Sequence, residues 1–202
     1  MMKRPLALML SAVFLLALLS ACAPEEASPT PAAAPTTTPN AMEETAQERA
    51  ALLEELELTL PEGISPGEYD LYFRFIDYGG YPLLDAQGEI CGGVGIYANT
   101  SVETVFEADG SLQSVRYLGN HASFDDMAPA DGEVPCMTGV YSCDVLDEDS
   151  GEFLGTEAQW CALWSTEGAE TVYALFLDQD RFDQETFLST VSSAVFGEGC
   201  FS

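Results

Sequence analysis

Residues 140–177 read VYSCDVLDEDSGEFLGTEAQWCALWSTEGAETVYALFL. Two turns interrupt this stretch, the acidic segment DEDSG at 147–151 and a segment that contains Gly168. Short segments rich in apolar, aromatic and β-branched residues flank the turns, at 140–146, 152–154, 159–164 and 171–177. Apolar runs of this length separated by turn signals predict an antiparallel meander.

A helix is predicted at each end of the region that surrounds the meander. Asp183 can cap a helix over 184–196, which Gly197 would end. The apolar stripe of this helix is Phe187, Leu188, Val191 and Val195. At the other end, Asn40 and the glutamate three residues later have the spacing of a capping box at the start of a helix over 41–55. This order of elements predicts the α+β class, an antiparallel sheet flanked by helices.

The region between the first helix and the meander is read mainly from its period-two alternation. The predicted strands are 56–60, 69–76 and 90–97. Three glycines within 90–97 indicate a bulge or the close approach of another backbone. Residues 101–118 fit either a hairpin closed by Asp-Gly at 109–110 or a chain that ends in a short helix over 112–118. The segment 120–135 reads as a loop, because Asp, Pro, Gly and Ala dominate it.

The chain begins with the features of a bacterial export signal. Lys3 and Arg4 precede an apolar run over 6–19, and Leu-Ser-Ala-Cys follows at 19–22. A basic start, a short apolar stretch and small residues at its end are typical of a secretory signal. The final motif resembles the lipobox of bacterial lipoproteins, which implies cleavage after residue 21 and a diacylglycerol on Cys22. We therefore expect a protein of the bacterial cell envelope, lipid-anchored on the extracytoplasmic face of the membrane.

Three regions follow from this reading. They are a signal peptide over 1–21, a lipidated cysteine with a disordered tether over 22–40, and a single acidic domain over 41–202. Pro, Ala and Thr dominate the tether, and without apolar periodicity it cannot bury enough surface to offset the entropy of ordering. The third region is long enough to bury a core of its own.

The charge of the chain restricts its partners. There are 34 acidic residues and six basic ones, which gives a formal net charge of −28. Nucleic acid and anionic lipid headgroups are bound through Lys and Arg, so we expect neither as a partner. Cationic ligands, or a basic face on an envelope protein, are favoured. Adaptation for solubility is the simpler explanation of the same charge.

A resemblance to a known family rests on three stretches. They are LTLPEG at 58–63, the glycine-rich GGVGI at 92–96, and YALFLD at 173–178 followed by SSAVF at 192–196. Their order over 56–196 resembles that of PsbP-like extracytoplasmic lipoprotein domains. The resemblance implies a sheet sandwiched by helices and a binding or accessory role rather than catalysis. It supplies no site residue.

Candidate catalytic groups are few. His121 is the one histidine of the chain, and Ser123 and Asp125 follow it closely. A hydrolytic triad needs three groups that meet in space, which neighbours on one loop do not provide, and no Gly-x-Ser-x-Gly elbow occurs. The segment from Gly93 to Ala98 matches Gly-x-Gly-x-x-Ala, but a dinucleotide site requires it at the start of a helix rather than within a strand. We predict no enzymatic activity and no cofactor.

Five cysteines lie beyond Cys22, and export permits disulfide bonds. They are Cys91, Cys136, Cys143, Cys161 and Cys200. At most two bridges can form, and their pairing cannot be read from the sequence. Cys136 with Cys143 is the most local candidate pair, while a reduced and buried set is an equal alternative. The absence of Cys-x-x-Cys and the single histidine argue against a zinc site.

Two acidic clusters are weak candidates for a calcium site. The first contains Asp147 and Asp149, and the second contains Asp178 and Asp180. An EF-hand counted from Asp147 would need glycine at its sixth position and glutamate at its twelfth, and the chain has neither there. Solvated turns between strands are the simpler interpretation.

These observations lead to one functional prediction and two alternatives. We expect a membrane-anchored, non-enzymatic binding, accessory or sensing module. The first alternative is a small-solute or calcium-binding lipoprotein. The second is an extracytoplasmic hydrolase, which would require His121 or one of the cysteines to take part in chemistry.

Overall fold

The computed structural model describes residues 41–71, 73, 79–120, 122–147 and 150–201. The helices within these ranges are α1 (Ala41–Glu54) and α2 (Gln184–Ser192). The strands are β1 (Leu56–Glu57), β2 (Ser65–Pro66), β3 (Gly80–Leu84), β4 (Ile90–Ala98), β5 (Val102–Phe106), β6 (Leu112–Tyr117), β7 (Ala122–Ala130), β8 (Cys136–Leu146), β9 (Phe153–Trp164), β10 (Thr171–Asp178) and β11 (Val195–Phe196). Neither helix in the described part of the chain is long and apolar enough to cross a membrane.

Some predicted features lie outside the described residues, so the structure does not bear on them. These are the signal peptide, the tether, Asn40, Cys22, His121, Asp149 and most of the predicted strand 69–76. Within that last segment, Asp70 forms an isolated antiparallel bridge with Gly80.

Seven strands form one sheet in the order β2-β3-β4-β10-β9-β8-β7, and each neighbouring pair is antiparallel. The strands β8, β9 and β10 are consecutive in the chain and adjacent in the sheet, which confirms the predicted meander. The predicted segments 152–154 and 159–164 prove to be parts of one long strand, β9.

Both faces of this sheet are apolar at its centre. In β10 the residues Val172, Ala174 and Phe176 belong to one buried cluster, while Tyr173 and Leu175 belong to the other. Successive side chains of a strand point to opposite faces, so the two clusters lie on opposite sides of the sheet. A continuous apolar run such as 172–177 is what a strand buried on both faces requires.

The two faces are covered by different kinds of structure. On one side, Val102 of β5 and the β6 residues Leu112 and Val115 pack against the sheet, and we call this side the hairpin face. On the other, Leu53 of α1 and the α2 residues Phe187 and Val191 pack against it, and we call this side the helix face. Residues 101–118 are therefore a hairpin, which resolves the alternative left open by the sequence.

The predicted α+β class, a sheet flanked by helices, is wrong. The described chain is mostly β, and both of its helices contribute to the core of the same face. The sheet sandwiched by helices that the PsbP-like resemblance implied is corrected with it. The physical reason is the β5–β6 hairpin, which buries its own apolar side chains on the face where a helix was expected.

The predicted loop 120–135 is also largely wrong, because β7 occupies its first part and pairs with β8 at the edge of the sheet. An edge strand needs hydrogen-bond partners on one side only, so it tolerates Pro129 and the acidic residues that made the segment look irregular. The register shifts between Asp125 and Ala128, and Asp126 there has a φ of 53°. This bulge interrupts an otherwise regular edge.

The C-terminal helix is shorter than predicted. It begins as expected, since the Asp183 side chain accepts a hydrogen bond from the Thr186 N–H. It ends at Ser192, and Val195–Phe196 instead pairs with Leu56–Glu57. Leu188 and Val195, which belong to the predicted apolar stripe, are 37% and 55% exposed. This pairing also accounts for the predicted strand 56–60, of which two residues form β1.

The predicted strand 90–97 is confirmed as β4, and one of its glycines accommodates an aromatic ring. A Cβ atom at Gly93 would overlap the ring of Phe73, which packs on the hairpin face. A Cβ atom at Gly92 would meet the backbone carbonyl of Phe176, and the β3–β4 register shifts between Leu83 and Leu84, so the close backbone approach and the bulge predicted for this strand are both confirmed. Because Gly93 lies within a strand, the Gly-x-Gly-x-x-Ala match has no phosphate-binding geometry.

Candidate functional site

A polar cleft of about 370 Å³ lies where β9 and β10 run side by side, at the end of β10. Residues 156–159 of β9 form one wall, and 178–181, at the end of β10 and in the following turn, form the other. Its volume is within the range of roughly 300–1,000 Å³ that is typical of small-molecule sites. We call it the β9–β10 cleft.

The most deeply buried polar residue that lines this cleft is Gln159, which is only 3% exposed. It lies opposite Asp178 in the register of the two strands, and its Nε2 donates a hydrogen bond of 2.6 Å to Asp178 Oδ1. Its Oε1 is buried and has no hydrogen-bond partner. A buried acceptor left without a donor costs about 1–3 kcal/mol, so this amide oxygen is an unfavourable feature of the fold.

Arg181 is held at the edge of the cleft by carboxylates. Its Nη2 lies 2.9 Å from Glu89 Oε2, its Nη1 donates to Asp85 Oδ2, and its Nε lies 3.7 Å from Asp178 Oδ2. Hydrogen bonds to Glu89 and Asp85 raise the pKa of the Arg181 guanidinium above its ordinary value. The positive charge of Arg181 is therefore committed to three carboxylates.

Asp85 is itself fixed in place by the turn between β3 and β4. Its Oδ1 accepts hydrogen bonds of 2.9 Å from the backbone N–H groups of Gln87 and Glu89. These backbone bonds, followed by the hydrogen bond from Arg181, hold the pKa of the Asp85 carboxyl below its ordinary value. The ion pair that orients Arg181 is thus anchored on an ordered turn.

The structure places the predicted acidic candidates in two different regions. Asp178 and Asp180 both line the β9–β10 cleft. Asp147 stays in the β8–β9 turn, where its Oδ1 accepts 2.8 Å and 2.7 Å hydrogen bonds from the backbone N–H and the hydroxyl of Ser150. In the described ranges, no group of three or more His, Cys, Asp or Glu side chains is arranged to hold a metal ion.

The five cysteines beyond Cys22 are free and buried. Cys136 and Cys143, the most local candidate pair, lie on the single strand β8 and contribute to opposite faces. Seven residues of strand span about 23 Å, whereas bridged Cα atoms are at most about 6.8 Å apart. That pairing is wrong.

The environment of these thiols is apolar. Burial raises the pKa of Cys136 to about 12 and that of Cys161 well above its ordinary value. A nucleophilic cysteine needs a lowered pKa and an electropositive neighbourhood, so neither thiol has the environment of a reactive one. Ser123, the other candidate nucleophile, donates a 2.9 Å hydrogen bond to Asp125 on the exposed surface of β7.

A second cavity, of about 330 Å³, is lined mainly by apolar residues from α1, β1 and the strands β3 and β4. Three of them are the leucines Leu56, Leu58 and Leu60 that alternate in the sequence. At its mouth, burial and the neighbouring Glu54 carboxylate raise the pKa of Tyr81. Among the described residues that line it, no buried side-chain nitrogen or oxygen lacks a hydrogen-bond partner.

Gln159 and Arg181 were not predicted as site residues. A signal for Gln159 exists, because it continues the inward row of Cys161 and Leu163 at spacing two, and a polar residue in a core row is unusual. A signal for Arg181 also exists, since it is a single cation among Asp178, Asp180 and Asp183. Neither signal reveals the Gln159–Asp178 contact, which depends on strand register.

No protein-family profile, curated protein or solved structure matches this chain.

Proposed function

We propose that this chain is a non-enzymatic binding module, held on the extracytoplasmic face of a bacterial membrane by lipid on Cys22, and that it takes a cationic ligand in the β9–β10 cleft. The observation that carries the proposal is the Oε1 of Gln159, buried and without a donor in an acidic cleft. Native proteins rarely leave such an atom unpaired, and a ligand site is a physical reason to do so.

The charges around the cleft support a cationic ligand. Glu157, Asp178 and Asp180 line it, and the guanidinium of Arg181 is already shared with Asp85 and other carboxylates. The formal net charge of −28 adds a long-range field of the same sign. Such a field raises the association rate of cations and opposes anions.

The residue types in the cleft support binding rather than catalysis. Its lining residues include no serine, cysteine, histidine or lysine. Thr156 supplies the one hydroxyl among these residues, and His and Lys, which commonly serve as the activating base, are not among them. What they offer is a set of oxygen acceptors, namely two amides, one hydroxyl and three carboxylates, which is suited to holding a charged hydrogen-bond donor.

Thermal unfolding of the mature chain, residues 22–202, tests the proposal. The panel contains putrescine, spermidine and calcium, with citrate as an anionic control, all at constant ionic strength. A ligand at a hundred times its dissociation constant adds about 2.7 kcal/mol of stability, which raises the midpoint by about 5–10 °C for a chain of this size.

Two variants locate the effect. Asp178→Asn removes a charge from the cleft, and Asp131→Asn removes the same charge from an exposed position outside it. The proposal expects the shift to fall by about half or more in Asp178→Asn and to persist in full in Asp131→Asn. No shift with any cation, or an equal shift in both variants, contradicts it.

A further inference from the structure

The orientation of the Gln159 amide determines which kind of atom a ligand must present. Gln159 Nε2 donates to Asp178 Oδ1, which leaves Oε1, an atom that can only accept a hydrogen bond. A ligand that completes the site therefore has to donate at this position.

Asp178 adds acceptor capacity beside the amide. Its Oδ1 receives the Gln159 bond, and its Oδ2 lies 3.7 Å from Arg181 Nε, beyond ordinary hydrogen-bond length. Each carboxylate oxygen has two lone pairs, so both oxygens can still accept. The side chain of Asp178 is 28% exposed, which keeps it reachable from the cleft.

Arg181, the cation at the edge of the cleft, does not donate to Gln159 Oε1. The Nη1 and Nη2 atoms of Arg181 are bonded to Asp85 and Glu89, and Asp85 is fixed by two backbone N–H groups. Turning the guanidinium toward Gln159 would break these bonds.

The donor set is a poor match for a divalent metal. Calcium takes six to eight oxygen ligands, and magnesium requires near-ideal octahedral geometry. In the described part of the chain, no group of three or more acidic, histidine or cysteine side chains is arranged so that it could hold a metal ion. An ammonium group needs fewer ligands than a divalent metal, since its three N–H donors are satisfied by a few acceptors in a cleft of this volume.

We infer that the ligand is a small aliphatic amine whose primary ammonium group donates to Gln159 Oε1 and to the Asp178 carboxylate. This inference rests on the proposed function and specifies the class of cation. The remaining carboxylates of the cleft, Glu157 and Asp180, lie on the walls where further positive charge on the same molecule would be received.

Isothermal titration calorimetry of the chain over residues 22–202 tests the inference with four probes at fixed ionic strength. Putrescine carries primary ammonium groups, and 1,4-butanediol has the same carbon chain without charge. Tetramethylammonium has the charge without N–H donors, and calcium chloride supplies the metal alone. We expect putrescine to bind and the diol and the quaternary cation to bind at least about tenfold more weakly, since a hydrogen bond to a charged group has about that value.

Asp178→Asn and Asp131→Asn complete the design, with circular dichroism to verify folding. Asp178→Asn should weaken putrescine by about tenfold, and Asp131→Asn by less than about twofold. If Asp178→Asn does not fold, Asp180→Asn and Glu157→Gln replace it, each with a smaller loss in the same direction.

The outcomes separate the two claims. Calcium binding that requires Asp178, without putrescine binding, overturns the ammonium inference and leaves the proposed function standing. Equal binding of tetramethylammonium or of the diol also overturns the inference. If no probe binds, the proposed function fails together with the inference.

Discussion

Gln159 and Asp178 face each other across β9 and β10, and the Gln159 amide donates a 2.6 Å hydrogen bond to the Asp178 carboxylate. This bond uses one half of a buried amide and leaves the other half without a partner. An apolar residue at this position would avoid the unpaired acceptor, so stability alone does not account for Gln159. Functional sites often carry such a cost in stability. The register of β9 and β10 therefore brings together two residues of the candidate site.

The first prediction concerns Gln159→Leu. Leucine removes the unpaired acceptor, and Asp178, which is partly exposed, can exchange the lost bond for water. The two effects are of similar size, so we expect the free energy of unfolding of the ligand-free protein to change by less than about 1 kcal/mol. Amine binding should be lost. Urea denaturation and calorimetry measure the two quantities.

Gln159→Ala is the matched control, because it removes the same amide but leaves a cavity and should destabilise the protein by about 2 kcal/mol or more. A loss of that size in Gln159→Leu would mean that the amide oxygen is satisfied within the fold, against the interpretation of the cleft.

How far the fold could be predicted depends on what each segment makes contact with. The meander of β8, β9 and β10 was readable because its residues are apolar on both faces and its turns contain Gly and Asp. The edge strand β7 was not, because it pairs through its backbone and its composition resembles that of a loop. At 195–196 a helix-like pattern gave way to pairing with β1, a tertiary contact that overrides local propensity.

The candidate site was predictable only in part, for a related reason. Asp178 and Asp180 are recognisable in the sequence as charged residues at the end of an apolar run, whereas the role of Gln159 depends on the residue opposite it in the sheet. Cross-strand contacts depend on register, which is determined by the whole sheet. The same limitation applied to Cys136 and Cys143, which are close in sequence but lie an odd number of residues apart on one strand and so contribute to opposite faces.

The second prediction tests the role of the β5–β6 hairpin as a cover for the sheet. Leu112 of β6 is 2% exposed and packs in the core of the hairpin face, whereas Leu118, just after β6, is 47% exposed. Leu112→Ala should reduce the free energy of unfolding by about 2–5 kcal/mol, because it leaves a cavity in packed surroundings. Leu118→Ala should change it by less than about 0.5 kcal/mol.

Chemical denaturation of both variants measures the difference. Equal, small effects would show that the hairpin does not seal this face, and a second cover would then have to be sought.

The third prediction concerns Cys22. Cys22→Ser removes the thiol that we propose carries the lipid, so the protein should move from the membrane fraction to the soluble fraction and lose incorporation of labelled palmitate. Two or more acyl chains are needed for stable anchoring, and the expected change is therefore nearly complete. Ala23→Ser, the neighbouring substitution, should leave both readouts unchanged. Retention of Cys22→Ser on the membrane would require another mode of attachment.

The last prediction is a dependence of stability on alkaline pH that comes from the buried thiols. Burial raises the pKa of Cys136 from 9.0 to about 12. Above pH 9 the unfolded thiol loses its proton while the folded thiol keeps it, so the unfolded state binds fewer protons. The free energy of unfolding should then fall between pH 9 and pH 12, by at most about 1.4 kcal/mol per pH unit for this group.

Cys136→Ala should make this slope shallower without abolishing it, because burial also raises the pKa values of Cys161 and Tyr141. Ser165→Ala is the control, since Ser165 is buried, donates to the Thr171 carbonyl and does not titrate in this range. It should lower stability by about 1 kcal/mol at every pH and leave the slope unchanged. Urea denaturation at half-unit intervals from pH 8 gives both quantities, and an unchanged slope in Cys136→Ala would show that its thiol is reached by water.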